Sequence, residues 1–174
     1  MEKENSKVAS IKEMIENIPN YPEDMTGKKV VVIGGGAVGL DVVEFFAPRN
    51  AKISIVEMQS VIGKDLDPVT KVQTSTLIEK HDVLELTNTA LLEVKDNSFI
   101  VRRDGKEEEL EFDYGFVCLG MRANAPVLES LRENFDSSKV EIVNIGDSVR
   151  ARRIIEAVQE GRNILNTLRK RNYL

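Results

Sequence analysis

The stretch VVVIGGGAVGLDVVEFFAPRNAKISIVE, Val30–Glu57, sets three consecutive glycines between a run of β-branched residues and a segment of helical periodicity, and it closes on an acid. A continuous apolar run bounded by glycine reads as a strand buried on both faces. The spacing predicts a strand over Lys29–Ile33, a glycine turn, a helix from Ala37 to about Ala47 and a second strand over Lys52–Glu57, which together make a βαβ unit. Pro48 should end the helix, because it has no N–H for the carbonyl four residues back, and Asn50 suits the left-handed conformation that often follows a helix.

Upstream of this unit, residues 1–27 read as a lead-in: a helix-prone stretch from Ser10 to Asn17, then IPNYPED with two prolines. Downstream, Asp67 is an N-cap and Pro68 a first helical residue for a helix over 68–80. Val83–Thr87 reads as a short strand, and LLEVKDN, SFIVRRDGK and EELEFDY alternate apolar and polar residues around Asp-Asn and Asp-Gly turns, the pattern of an antiparallel meander. FVCLG, 116–120, is predicted as a returning buried strand and VEIVNIGD, 140–147, as another of the same form. ARRIIEAVQEGRNILNTLRK then carries Ile154, Ile155, Val158, Ile164, Leu165 and Leu168 at the apolar positions of a terminal amphipathic helix. The expected fold is α/β and Rossmann-like: a parallel sheet with helices, an antiparallel β-meander crossover, and a C-terminal strand and helix.

A chain of 174 residues, 41% hydrophobic and 30% charged, suits one compact domain or one domain with an appendage. No run approaches the roughly 18 apolar residues of a membrane span, and MEKENSKVAS lacks the apolar centre of a secretion signal, so a cytoplasmic location without membrane contact is expected. Cys118 is the single cysteine, which leaves no internal disulfide, CxxC pair or cysteine-built metal site in this chain. A net charge of -5 argues against a nucleic-acid partner, and the basic run Arg150–Arg153 reads as facing solvent or a single anion.

Gly34, Gly36 and Gly39 have GxGxxG spacing between a strand and a helix. The first permits a tight turn, the second lets a pyrophosphate approach the backbone, and the third lets helix and strand pack closely, while the helix N-terminus offers N–H groups and the positive end of its dipole. Glu57, at the end of the second strand, is placed to accept from both hydroxyls of an adenosine ribose. Strand, glycines, helix, strand and acid in register point to dinucleotide binding.

These residues carry a resemblance over about 28–170. GGGAVGLD (34–41), with the strand ending in Glu57, resembles the NAD-binding domain inserted in two-dinucleotide-domain flavoproteins of the pyridine nucleotide-disulfide oxidoreductase type. Asp67-Pro68 resembles the start of that domain's second helix, CLGMRAN (118–124) its exit motif, usually written ATGxRPN, and NIGD (144–147) the motif that re-enters the FAD domain. GDSVRARRIIEAVQEGRNILNTL is similar to the end of the Old Yellow Enzyme-like NADH:flavin oxidoreductases, which include 2,4-dienoyl-CoA reductase and enoate reductase. Disulfide reductases instead carry a redox cysteine pair and a dimerisation domain.

The resemblance implies a lead-in (1–27), an NAD-binding domain (28–124) and the return segment of an incomplete FAD domain (125–174). It implies that Gly34, Gly35, Gly36, Ala37, Val38 and Gly39 form the pyrophosphate loop, that Glu57 is the ribose acid, and that Met58 lies beside the adenine. Thr89 matches an adenine-side position, Gly120 a glycine near the nicotinamide half, Asp41 the family's usual Glu facing nicotinamide and flavin, and Asp147 an acid that contacts FAD. Asp41 reads equally well as an acid favoured by the helix dipole. Asn50 and Asp82 stand where the family often has glycine, and Ala125 where it has proline.

His81 at a helix end, Cys118 in an apolar strand and Glu107–Glu109 after a turn have ordinary structural readings, and no catalytic or metal-ligating residue is assigned. The expectation is an NADH-binding part of a larger flavoenzyme whose FAD lobe, FMN barrel and iron-sulfur cluster belong to other sequence. NADH is preferred over NADPH, the chain alone is inactive, and homodimers through the C-terminal helix are possible. The alternative is a free-standing, non-catalytic module that senses a dinucleotide or docks to a partner. A third reading, in which the fingerprint binds FAD itself, ranks last because MQSVIGKDLDPVT after Glu57 lacks the double glycine usual there.

Overall fold

The computed structural model describes residues 7–124, 126–136 and 138–170, and the chain divides after Gly120 into two units. The first is built on a five-stranded parallel sheet of order β1-β8-β2-β3-β4, with β1 at Val8–Ala9, β2 at Lys29–Ile33, β3 at Lys52–Val56, β4 at Leu84–Leu86 and β8 at Tyr114–Val117. Strands β2 and β3 run in register from Lys29↔Lys52 to Ile33↔Val56. The apolar run is explained by burial on both faces: Val30 and Val32 join one core cluster with Phe46, Ile53, Ile55 and Phe116, while Val31 and Ile33 join another with Val56, Phe99 and Phe112. Each such side chain contributes about 1.5–3 kcal/mol when fully buried.

Helix α2, Ala37–Phe46, packs its buried Leu40, Val42, Val43 and Phe46 on the first face and ends in a short 3-10 turn through Pro48. Asn50 is left-handed at φ 62°, as is Asp82 at φ 50°, so both non-glycine residues adopt a conformation in which glycine is favoured. Helix α3, Pro68–Lys80, starts on Asp67, whose Oδ1 accepts from the N–H groups of Val69 and Thr70. The meander β5 (Thr89–Val94), β6 (Ser98–Arg103) and β7 (Lys106–Glu111) forms an antiparallel sheet over the second face. Glu107, Glu108 and Glu109 pair with Arg102, Arg103 and Lys95, so the acidic strand edge is compensated by its neighbours rather than merely solvated.

The lead-in reading of residues 1–27 needs correction where the chain is described. Val8–Ala9 is an edge strand parallel to β8, and α1, Ile11–Glu16, buries Met14. Tyr21 makes edge-on contacts with Phe45, Phe46 and Tyr114, and Met25 is fully buried. A two-residue strand is too short to show periodicity, and these contacts are all long-range. Residues 1–6 lie outside the described residues, as does Ala125.

The second unit holds α4 (Pro126–Asn134), a 3-10 turn at Gly146–Ser148, α5 (Ile154–Arg162) and α6 (Ile164–Lys170). Two expectations fail here. No strand forms over 140–145, because the unit offers that segment no strand to pair with among the described residues. The terminal helix breaks at Asn163, the C-cap of α5, whose backbone N–H and side-chain amide both donate to the Gln159 carbonyl. Arg152 pairs with Glu160 and Arg153 with Glu156, so the basic run is largely neutralised locally. No described helix is long and apolar enough to cross a membrane.

Candidate functional site

The turn between β2 and α2 gives each glycine of the triplet a distinct environment. Gly34 has φ +108°, and a Cβ there would collide with the Cys118 carbonyl, so the turn closes directly against the end of β8. A Cβ on Gly39 would collide with the Gly34 carbonyl oxygen, which fixes how closely α2 approaches the turn. Gly36 is exposed, and a Cβ there would meet nothing within 4 Å. Gly36 is therefore not required by packing; its openness leaves room for a ligand. It is also the N-cap of α2 and provides no side-chain cap, so the first-turn N–H groups around Ala37 and Val38 face outward with the positive end of the helix dipole.

Glu57 follows β3 and reaches back to this turn. Its Oε2 accepts from the Gly35 N–H at 2.7 Å and its Oε1 from the Gln59 N–H at 2.8 Å. The carboxylate is thus oriented from both sides beside the glycines. The Gly35 carbonyl accepts in turn from the Gly63 N–H at 2.7 Å, which ties the 58–63 loop to the same turn. Met58 stands exposed at the rim.

Thr89, expected at an adenine-side position, is buried next to the turn that carries Glu57. It is 1% exposed, its hydroxyl donates to the Thr87 carbonyl at 2.9 Å, and its N–H donates to the Glu57 carbonyl at 2.9 Å. It supports the acid's turn from inside and presents no hydroxyl to a ligand. Gly120 is exposed and left-handed at φ 89°, where the chain leaves β8.

Asp41, in the second turn of α2, lines a cavity of 190 Å³ between α2 and α3 with Ala37, Glu44, Thr70 and Thr74. That volume is below the roughly 300 Å³ at which ligand pockets begin. Partial burial, and then the Glu44 carboxylate, raise the Asp41 pKa above the usual carboxylate value. Burial, and then Asp41, push the Cys118 thiol up to about 11. Cys118 should consequently be inert. A disulfide reagent at pH 8 should leave the native chain unlabelled over minutes and label the denatured chain fully; rapid labelling of the folded chain would contradict this environment.

In the second unit Asp147 is exposed, and its Oδ1 accepts from the Arg152 N–H at 3.3 Å. The Gly146 N–H donates to Glu160 Oε2 at 2.6 Å, so the turn is held by α5.

Residues 4–150 match the model of the pyridine nucleotide-disulphide oxidoreductase family. The chain belongs to that family. Curated relatives include an NADH oxidase of Thermoanaerobacter brockii, 27% identical over 92% of this chain and 24% of its own length. A bilirubin reductase of Mediterraneibacter gnavus is 31% identical over 84% of this chain and 22% of its own length. The chain thus spans about a quarter of these relatives, both of which are oxidoreductases. Among solved structures, a 2-naphthoyl-CoA reductase superposes with TM-score 0.71 over 90% of this chain and 23% of that one, at 24% identity. Histamine dehydrogenase from Rhizobium sp. 4-9 gives 0.73 over 93% and 26%, at 17% identity. At those identities the likeness is one of fold.

The pairing of Glu57 with Gly35 was not legible as a contact, because the two lie on different loops 22 residues apart. Gln59 and Gly63 were missed altogether, since their part in the site runs through backbone groups alone.

Proposed function

We propose that this family member binds NADH across the β2–α2 turn and orients it for hydride transfer to a flavin held by sequence outside this chain, as in the Old Yellow Enzyme-like NADH:flavin oxidoreductases. The observation that carries the reading is the coincidence of an open Gly36, an uncapped α2 N-terminus and an oriented Glu57 carboxylate on one turn. The N–H groups at Gly36, Ala37 and Val38 would hold the pyrophosphate, Glu57 the adenosine ribose, and Met58 the adenine edge, while Gly120 and Asp41 lie toward the nicotinamide half. When bound, the dinucleotide supplies the hydride; the chain supplies orientation and electrostatics. Matches to an NADH oxidase and a bilirubin reductase over most of the chain support this branch. FAD, FMN and an iron-sulfur cluster, with Asp147 as an FAD contact, belong to the same proposal for the larger enzyme. So does the docking of exposed Ile154, Ile155, Val158 and Leu165 on a flavin lobe or a second copy.

Glu57 should favour NADH, because its carboxylate accepts from a 2′-hydroxyl and repels a 2′-phosphate, and Met58-Gln59-Ser60 brings no cation to compensate. The penalty on NADPH should be about 1.5–3 kcal/mol, roughly ten- to a hundredfold in affinity. Titrating both nucleotides against wild type and Glu57→Gln should show this gap and then its narrowing. Equal wild-type affinities would sink Glu57 as the ribose acid.

A further inference from the structure

We propose that Gly35, which lies between the two spaced glycines of the fingerprint, is a positioning residue that sets the discrimination between NADH and NADPH through Glu57; this rests on Glu57 being the ribose acid. Gly34 needs glycine for its left-handed backbone and Gly36 leaves open space, but neither reason applies at 35. Gly35 is not among the glycines with positive φ, so its backbone would accept an L-residue. What a side chain at 35 would press against is the acid and Ile62. A Cβ at 35 would lie 3.1 Å from Glu57 Cβ, 3.2 Å from Glu57 Oε2 and 3.1 Å from Ile62 Cγ1.

The same residue holds that acid by hydrogen bonding. Its N–H donates to Glu57 Oε2 at 2.7 Å, and its carbonyl accepts from Gly63 at the far end of the loop that follows Glu57. Carboxylate, loop and glycine turn are therefore one bonded unit closed by Gly35. Its buried main chain is fixed by the turn, so an added methyl group must be accommodated by Glu57 or Ile62. If Glu57 moves by a few tenths of an ångström, its hydrogen bonds to a ribose weaken and its charge draws back from a 2′-phosphate. The first effect reduces NADH affinity and the second spares NADPH, so the ratio changes and not only the overall affinity.

The test is calorimetric titration of NADH and NADPH against wild type, Gly35→Ala, Glu57→Gln and Gly35→Ala/Ile62→Ala, with thermal melts of each. Gly35→Ala should weaken NADH about tenfold and NADPH by no more than about twofold, approaching the ratio of Glu57→Gln. Trimming Ile62 in the double variant gives the methyl group another direction and should restore most of the preference. Equal losses for both nucleotides, or an unchanged ratio, would overturn the proposal. A wild type without NADH preference overturns the ribose-acid reading and this proposal with it, whereas a preference lost in Glu57→Gln but kept in Gly35→Ala overturns this proposal alone. Should Gly35→Ala not fold, the amide proton of Gly35 in the wild type decides between the outcomes: it should resonate downfield and move upfield in Glu57→Ala, and an unmoved resonance would count against Gly35 as the partner.

Discussion

Gly39→Ala should destabilise the first unit by about 3 kcal/mol, near the upper end of what one overpacked methyl group costs. The methyl would meet the Gly34 carbonyl oxygen at well inside contact distance, with the Gly34 carbon at 3.0 Å and Val32 Cγ1 at 3.3 Å. Two of these three obstacles are backbone, so no rotamer change relieves the clash. Either the turn opens or α2 moves away from the sheet, and α2 carries Val42, Val43 and Phe46, all at 0% exposure in the main core. Such a loss corresponds to a fall of roughly 10 °C in melting temperature for a chain of this size. Thermal denaturation followed by circular dichroism measures it; a melt within about 2 °C of wild type would show that the close approach of helix and turn is not a constraint.

Gly36→Val should do the opposite, leaving the melt near that of wild type and removing dinucleotide binding. No atom lies within 4 Å of the position a Cβ would take, and φ there is -80°, which a β-branched residue tolerates. The isopropyl group would occupy the space above the α2 N-terminus, displacing a pyrophosphate from N–H groups that no side chain caps. Loss of several charge-assisted hydrogen bonds at about 1.5–3 kcal/mol each gives at least a hundredfold loss of affinity for NADH and NADPH alike. Two glycines three residues apart in one fingerprint thus serve different ends, one packing and one ligand approach.

Much of the first unit was legible because its signals are local. The apolar run at Lys29–Ile33, the Asp67-Pro68 helix start and the Asp-Gly turn at 104–105 each contain their own cause, and the elements lie close to where those residues put them. Features that depend on distant partners were not legible. Val8–Ala9 becomes a strand only because β8 is there to pair with it, and 140–145 remains without strand structure despite an apolar run like that of β8. The site divides in the same way. The spacing of Gly34, Gly36 and Gly39 located the turn, and the strand end at 57 located the carboxylate that lies against it. That Glu57 would be clamped by the Gly35 and Gln59 N–H groups, and that Thr89 would be buried behind it, follows from the folding of two loops onto each other, which no residue spacing encodes.

Calorimetric titration of NADH into wild type and Gly36→Val, with melts of both, tests most directly whether this turn holds the dinucleotide. The expected result is saturable one-to-one binding by the wild type and at least a hundredfold weaker binding by a variant that melts like it. A wild type that gives no saturable heat, or a folded variant that binds NADH as tightly as the wild type, would contradict dinucleotide binding at Gly34–Gly39.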